Sequence, residues 1–261
     1  VLVARGIKRP GGEWFECTLE EVKAAVHVVR TGATFDATRT ENFKMRPEQR
    51  QAVDMTAAYF RKHAQGRAPK FLWNAKMRFG KTFTAYQLAR RMGWSKVLVL
   101  TYKPAVQSAW RDDLLNHVDF ADWRFIDRDT PEAVRDKAAD TRDAQVWFAS
   151  FQDLNGRTEG GQVKAHNEAI HRIDWDCIVI DEYHFGAWRT SARDLYDPVD
   201  KALAEREEPE ESFSDDDLGL KAAHCLYLSG TPFRAITNGE FSEDQIFNWT
   251  YIDEQSEKAG W

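Results

Sequence analysis

Phe71-Leu72-Trp73-Asn74-Ala75-Lys76-Met77-Arg78-Phe79-Gly80-Lys81-Thr82 passes from a short apolar segment through a tight turn into Gly-Lys-Thr, and residues 83 to 92 continue as a helix-like run that Gly93 closes. The order is strand, loop, helix. Ala75-x-x-x-x-Gly80-Lys81-Thr82 is the phosphate-loop pattern with alanine in place of its first glycine. Successive backbone N–H groups and the positive end of the following helix surround a polyphosphate, the Lys81 ammonium reaches the β and γ phosphates, and the Thr82 hydroxyl ligates Mg²⁺. Gly80 stands where backbone must approach phosphate closely. Gly-Lys-Thr also arises by chance in an ordinary strand-turn-helix, so partners further along the chain decide the matter.

With 261 residues, 43% hydrophobic and 13% aromatic, the chain can bury the core of one large α/β domain or two small ones. No run approaches the roughly 18 apolar residues of a membrane helix. Val1-Leu2-Val3-Ala4-Arg5 lacks the layout of a secretory signal, so a cytoplasmic protein without a membrane partner is expected. Cys17, Cys177 and Cys225 show no metal-ligand spacing, and the last two lie in apolar runs that suit buried thiols. The net charge of −6 is uneven: residues 205 to 217 hold eight acids and one base, which leaves the remainder near +1 and a local basic groove possible for nucleic acid. That acidic stretch reads as a solvated insertion, or as a screen for such a groove or a dock for a basic partner.

Upstream of the loop, residues 1 to 17 read as short extended pieces around a Pro-Gly-Gly turn. Thr18 and Glu21 form a capping box for a helix with Val22, Ala25, Val26 and Val29 on one face, and residues 31 to 42 form a polar connector. Pro47 suits the first turn of a helix carrying Ala52, Met55, Ala58 and Phe60. Residues 96 to 102, 123 to 126 and 145 to 150 read as strands, residues 105 to 117, with Val106, Trp110 and Leu114 on one face, 131 to 139 and 165 to 173 as helices, and residues 155 to 162 as a glycine-rich loop. Past Phe241 a helix-like segment is expected before Trp249-Thr250-Tyr251-Ile252. Near-continuous apolar strands alternating with helices predict a parallel sheet covered on both faces, whose ligands sit at the carboxyl ends of the strands.

Two such ends carry chemistry. In Asp176-Cys177-Ile178-Val179-Ile180-Asp181-Glu182-Tyr183-His184 three aliphatic residues drive a strand into the sheet and two carboxylates emerge from it. Asp181 suits the Mg²⁺ that Thr82 ligates, and Glu182 suits orienting and deprotonating an attacking water. Two acids beside an apolar strand call for a metal or a cation. His224-Cys225-Leu226-Tyr227-Leu228-Ser229-Gly230-Thr231-Pro232-Phe233-Arg234 opens from a strand into a small polar turn, where Ser229 and Thr231 can bond to Asp181, Glu182 or His184. Gln49, on the first turn of the helix that Pro47 begins, is an amide able to pair both donor and acceptor with an adenine edge. A surface glutamine accounts for it equally well.

In this order Gln49, residues 75 to 82, Asp181-Glu182-Tyr183-His184 and Ser229-Gly230-Thr231-Pro232 resemble the adenine-reading, phosphate, DExH and third motifs of superfamily 2 helicases and translocases. Tyrosine stands third in the DExH box where the DEAH class has alanine. Residues 228 to 233 and Val99-Leu100-Thr101-Tyr102-Lys103-Pro104 look most similar to the motor subunits of type I and type III restriction enzymes and related prokaryotic defence proteins. The resemblance covers residues 43 to 250 and implies an α/β fold, the first RecA-like lobe of a P-loop NTPase. Residues 1 to 42 are then an N-terminal extension, whose Glu13-Trp14-Phe15 and following helix resemble the tail of some GIY-YIG nuclease domains although the GIY and YIG segments are absent, and residues 251 to 261 are a tail toward a second lobe.

The resemblance implies ATP and Mg²⁺ as cofactors. It places Lys81, Asp181 and Glu182 in catalysis, Thr82 and Asp181 on the metal, and Arg46, Gln49, Ala75, Arg78, Phe79, Gly80, Lys81, Thr82 and His184 around the nucleotide. Ser229 and Thr231 would couple nucleotide state to movement, and Thr101, Lys103, Ser150 and Gln152 would meet the nucleic-acid backbone, though each also suits a plain strand-end loop. The partners implied are double-stranded DNA, a second RecA-like lobe of the same protein and a nuclease or methylase. That second lobe carries the arginine fingers, and Arg234 follows the third motif too closely to replace one. Nothing after residue 235 has room for it, so a lone lobe slow to hydrolyse ATP is expected, a missing finger costing about 10³ to 10⁵ in rate. The expected function is ATP-driven movement on, or remodelling of, DNA in restriction or phage defence. The competing reading is a nucleotide-gated DNA- or protein-binding module without productive motor activity; a P-loop kinase would leave Gln49 and residues 229 to 232 without a role.

Overall fold

The computed structural model describes residues 39–66, 68–101, 104–154, 165–181, 220–230 and 240–259, together with Cys17, Val22 and Val26. Val22 and Val26 are helical and exposed; the rest of the expected N-terminal helix, the glycine-rich loop at 155 to 162 and the acidic stretch at 205 to 217 lie outside the described residues.

In chain order the elements are α1 (Pro47–Lys62), β1 (Lys70–Ala75), α2 (Lys81–Met92), β2 (Lys96–Thr101), α3 (Gln107–Asn116), β3 (Arg124–Ile126), α4 (Glu132–Asp140) and β4 (Gln145–Ser150). There follow α5 (Phe151–Leu154), α6 (Ala165–Arg172), β5 (Asp174–Trp175), β6 (Cys177–Asp181), β7 (Lys221–Ala222), β8 (Cys225–Ser229), β9 (Ile246–Trp249) and α7 (Tyr251–Ala259). Seven strands make one sheet in the order β3-β4-β2-β6-β8-β1-β9, and every pairing in it is parallel.

The apolar runs explain the layering. Because strand side chains alternate faces, Phe71, Trp73 and Ala75 of β1, Val97 and Val99 of β2 and Leu226 and Leu228 of β8 pack with Phe60 of α1, Tyr86 and Leu88 of α2 and Trp110 of α3. Their neighbours Leu72, Leu98, Leu100, Ile178, Ile180 and Tyr227 fill a second core with Ala138 of α4, Phe151 and Leu154 of α5 and Ile170 of α6. Helices thus cover both faces of a parallel sheet, as the alternation predicts, and the α/β lobe is of the RecA-like kind that the resemblance implies. Cys177 and Cys225 are buried free thiols. Six of the seven described tryptophans are buried, and two of these satisfy their N–H locally: Trp73 Nε1 donates to Thr56 Oγ1 on α1 at 2.7 Å, and Trp147 Nε1 to Gln145 Oε1 at 2.7 Å.

Boundaries differ from the sequence reading in three places. The chain past Phe241 reverses the expected order: Ile246–Trp249 is an edge strand beside β1 and the helix comes after it, because Ile246 and Phe247 are buried and Asn74 Nδ2 donates to Asn248 Oδ1 at 2.7 Å across the pair. Strands β5 and β7 form a small parallel pair of their own that two-residue segments could not announce. The helix expected from residue 105 begins as a 3-10 turn at Pro104–Val106 and becomes α-helical at Gln107.

Candidate functional site

The site is a rim made by the carboxyl ends of parallel strands. Ala75, Thr101, Ser150, Asp181 and Ser229 are the last residues of β1, β2, β4, β6 and β8. Thr101 pairs with both Ser150 and Asp181, and Asn74 pairs with Ser229. Only β8 separates β6 from β1, so at ordinary strand spacing Asp181 and the start of the phosphate loop lie about 10 Å apart on the same edge.

Between β1 and α2 the backbone doubles back. Arg78 at φ 67° and Gly80 at φ 81° both occupy the left-handed region, which costs a non-glycine residue such as Arg78 roughly 1–2 kcal/mol. Strain of this kind gathers at ligand-binding loops. Phe79 anchors the turn: its ring is buried with its centroid 5.8 Å from that of Phe247, and its N–H donates to Lys76 O at 3.3 Å. Lys81 Nζ donates to Ala75 O at 2.8 Å and to Lys76 O at 3.4 Å, so the ammonium lies inside the curve of its own loop. Thr82 follows, half-buried on the first turn of α2, whose positive end opens on that curve.

Helix α1 holds the loop from the side. Gln49 is 5% exposed and therefore not a surface glutamine. Its Nε2 donates to Phe79 O at 2.8 Å, while its Oε1 accepts the Arg46 N–H at 2.9 Å. The Arg46 guanidinium donates to the same Phe79 carbonyl at 2.5 Å and pairs with Glu48 at 2.9 Å. The two residues read from the sequence as nucleotide contacts thus grip the phosphate loop itself. A primary amide has a second N–H and a second lone pair, which leaves capacity for a base edge.

Asp181 is buried, and its Oδ2 accepts the Trp110 Nε1–H at 2.7 Å. Trp110 had no signal in the sequence beyond a core position on α3. Its backbone carbonyl accepts the Tyr86 hydroxyl at 2.7 Å, and burial pushes that phenol well above its usual range. Nearby, burial first and then the Glu41 carboxylate push the Asp113 carboxyl up to about 6, against the pull of a hydrogen bond from the Phe83 backbone on α2. Burial lowers His117, whose Nε2 lies 2.9 Å from Phe43 O.

Of the other residues singled out from sequence, Ser229, Thr101 and Ser150 are buried at the rim, behind the surface. Lys103, Glu182, His184 and Thr231 and the side chain of Gln152 lie outside the described residues. The sequence also missed a clamp on the loop: Lys76 forms an ion pair with Glu254 of α7 and sits 5.2 Å from the Tyr251 ring centroid. A groove of about 590 Å³ between α1 and α2, edged by Lys44, Arg50, Arg90 and Arg91, is lined by none of the predicted site residues.

The donor set at the rim fits a magnesium nucleotide. Mg²⁺ takes one or two protein oxygens and completes its shell with phosphates and water, and Thr82 and Asp181 are oxygen donors of that kind. Among the described residues no three His, Cys, Asp or Glu gather as a cage would require, and no helix is long and apolar enough to cross a membrane.

Comparison with known proteins places this lobe. The family of the type III restriction enzyme res subunit matches residues 42–234, about three quarters of the chain. A putative type II restriction enzyme and methyltransferase of Mycoplasma pneumoniae, RM.MpnORF110P (C-terminus), is 33% identical over 242 residues, which is 84% of this chain and 33% of that protein; the chain spans about a third of its relative's length. The SWI2/SNF2 ATPase core of Sulfolobus solfataricus, solved in complex with dsDNA, is 16% identical with a TM-score of 0.46, covering 80% of this chain and 35% of that one. A nuclease-deletion mutant of the type ISP restriction-modification enzyme LlaGI, solved with a DNA substrate mimic, is 13% identical with a TM-score of 0.48, covering 84% of this chain and 21% of that one. The match over residues 42–234 makes the chain a member of the type III restriction enzyme res subunit family.

Proposed function

We propose that this lobe binds Mg·ATP and, within a larger protein, hydrolyses it to move on or remodel double-stranded DNA in a restriction system. The observation that carries the reading is the shared rim: the Lys81 loop and the Asp181 carboxylate leave the same edge of a parallel sheet with one strand between them. Lys81 would leave its loop carbonyls for the β and γ phosphates, Thr82 and Asp181 would hold the Mg²⁺, and Glu182 would take the proton of the attacking water. Magnesium supplies charge neutralisation at the phosphates. Gln49 would read adenine while still holding Phe79, so that base recognition and loop conformation share one side chain. Ser229 and Thr231 would pass the loss of phosphate to the neighbouring strand end, and the chain after β2 and β4, with Lys103 and Gln152, would grip the DNA backbone. A second lobe would supply the arginine finger. The membership in a restriction-enzyme family supports DNA as the polymer.

The test is ATP turnover by the intact protein with and without double-stranded DNA. A tenfold or greater stimulation that Lys81→Ala abolishes is expected. Turnover indifferent to DNA would favour the nucleotide-gated binding module, and no binding of Mg·ATP at all would remove both readings.

A further inference from the structure

We propose that Trp110 is the positioning residue for Asp181: its indole N–H fixes the carboxylate that would face magnesium, and its backbone ties that carboxylate to the helix carrying Lys81 and Thr82. The inference rests on the ATPase reading above and deepens it. Three observations carry it. Trp110 is 1% exposed, and the single polar atom of its side chain donates to Asp181 Oδ2 at 2.7 Å. A tryptophan N–H can only donate, and phenylalanine would fill the core without needing any acceptor, so the bond selects the residue type. Finally, Trp110 is itself held from α2: the Tyr86 hydroxyl donates to its carbonyl at 2.7 Å, and the two rings meet edge to face with centroids 5.4 Å apart and planes at 81°.

The path Tyr86 to Trp110 to Asp181 therefore joins two halves of the site that are far apart in sequence. Helix α2 starts at Lys81, one turn before Tyr86, and α3 lies beside it under the same core. A carboxylate at a strand end can rotate about its side-chain bonds; an N–H fixed by two helices removes that freedom and keeps the acid in the orientation that a metal shell with strict geometry demands. The role is that of an outer-shell donor: Trp110 touches neither phosphate nor metal.

The experiment uses the intact protein with Trp110→Phe, and with benzothienylalanine at position 110, which keeps the shape of the double ring and replaces N–H by sulfur. Leu88→Met, a core change on α2 outside the bonded path, serves as the packing control. A fluorescent ATP analogue is titrated in EDTA and then at increasing Mg²⁺. Loss of the donor is expected to raise the Mg²⁺ concentration for half-maximal nucleotide binding about 10- to 100-fold, the usual cost of removing an outer-shell partner, with the affinity in EDTA unchanged within about twofold. An unchanged Mg²⁺ midpoint in either donor-less variant overturns the proposal, and so does failure of both to fold, which would make the bond purely structural. If the wild type shows no magnesium-dependent nucleotide binding, the ATPase reading falls instead, so the two failures are distinguishable.

Discussion

Gly80→Ala tests the grip of α1 on the phosphate loop in numbers. A Cβ on Gly80 would stand 2.7 Å from Gln49 Nε2, closer than real Cβ atoms come, and at φ 81° alanine is strained even in open space. The second term is roughly 1–2 kcal/mol. The first is relieved by moving Gln49, the end of a flexible side chain, but that breaks its bonds to Phe79 O at 2.8 Å and from the Arg46 N–H at 2.9 Å. At about 0.5–1.5 kcal/mol each, the two bonds bring the total to roughly 2–5 kcal/mol.

A lobe of this size loses about 2–4 °C of Tm per kcal/mol, so unfolding followed by tryptophan fluorescence should shift by roughly 4–20 °C. The decisive comparison is a double-mutant cycle. With Gln49→Ala already in place both bonds are gone and nothing obstructs the Cβ, so Gly80→Ala should then cost only the roughly 1–2 kcal/mol of backbone strain. The coupling between the two positions should therefore be about 1–3 kcal/mol. Additive costs, within about 0.5 kcal/mol, would refute the contact and with it the idea that Gln49 shapes the loop.

Lys81→Ala should remove phosphate binding, measured with a fluorescent ATP analogue, while leaving the melting temperature within a few degrees, because the ammonium is only part-buried and bonds carbonyls of its own loop rather than the core; equal affinity in the two proteins would overturn its assignment. Glu182→Gln should keep nucleotide affinity and stop turnover in the intact protein, and unchanged turnover would remove the general-base role. Asp113 should make the lobe pH-sensitive. Its carboxyl is raised from 3.8 to about 6 in the fold, so the folded state binds a proton more tightly than the unfolded one, and stability falls as pH rises through that window and levels off above it. Asp113→Asn should gain on the wild type between pH 4 and pH 6, by about the span of that shift, in urea unfolding at several pH values; parallel curves for the two proteins would exclude the effect.

What could be read from sequence and what could not divides along a physical line. The loop from β1 to α2 was legible because its signals are local: an apolar run, a left-handed glycine and a lysine within a dozen residues. Asp181 and Ser229 were legible as strand-end groups because five-residue apolar strands can only bring them out at the rim. Position along a strand is a local property; the partner across the sheet is not. Trp110 therefore read as plain core, since nothing in α3 announces an acceptor on β6. Gln49 read as a surface or base-reading amide, although its nearest partners are the Phe79 carbonyl and the Arg46 N–H. The tail was misordered because Ile246-Phe247-Asn248-Trp249 is too short to declare itself a strand without β1 beside it.

Lys76 shows how far the same limit reaches into function. Charge and position in the phosphate loop would make it a second cationic ligand for a polyphosphate. Its ammonium instead meets Glu254 and the face of Tyr251 on α7, and its N–H donates to Trp249 O at 3.1 Å, so the first turn of the loop is fastened to β9 and α7. An anion entering the curve would have to compete with Glu254 for that ammonium. A cation already neutralised by a carboxylate of α7 offers phosphate little. What Lys76 can offer a phosphate is thus set by a helix 170 or more residues away, and no reading of the loop alone could have drawn it.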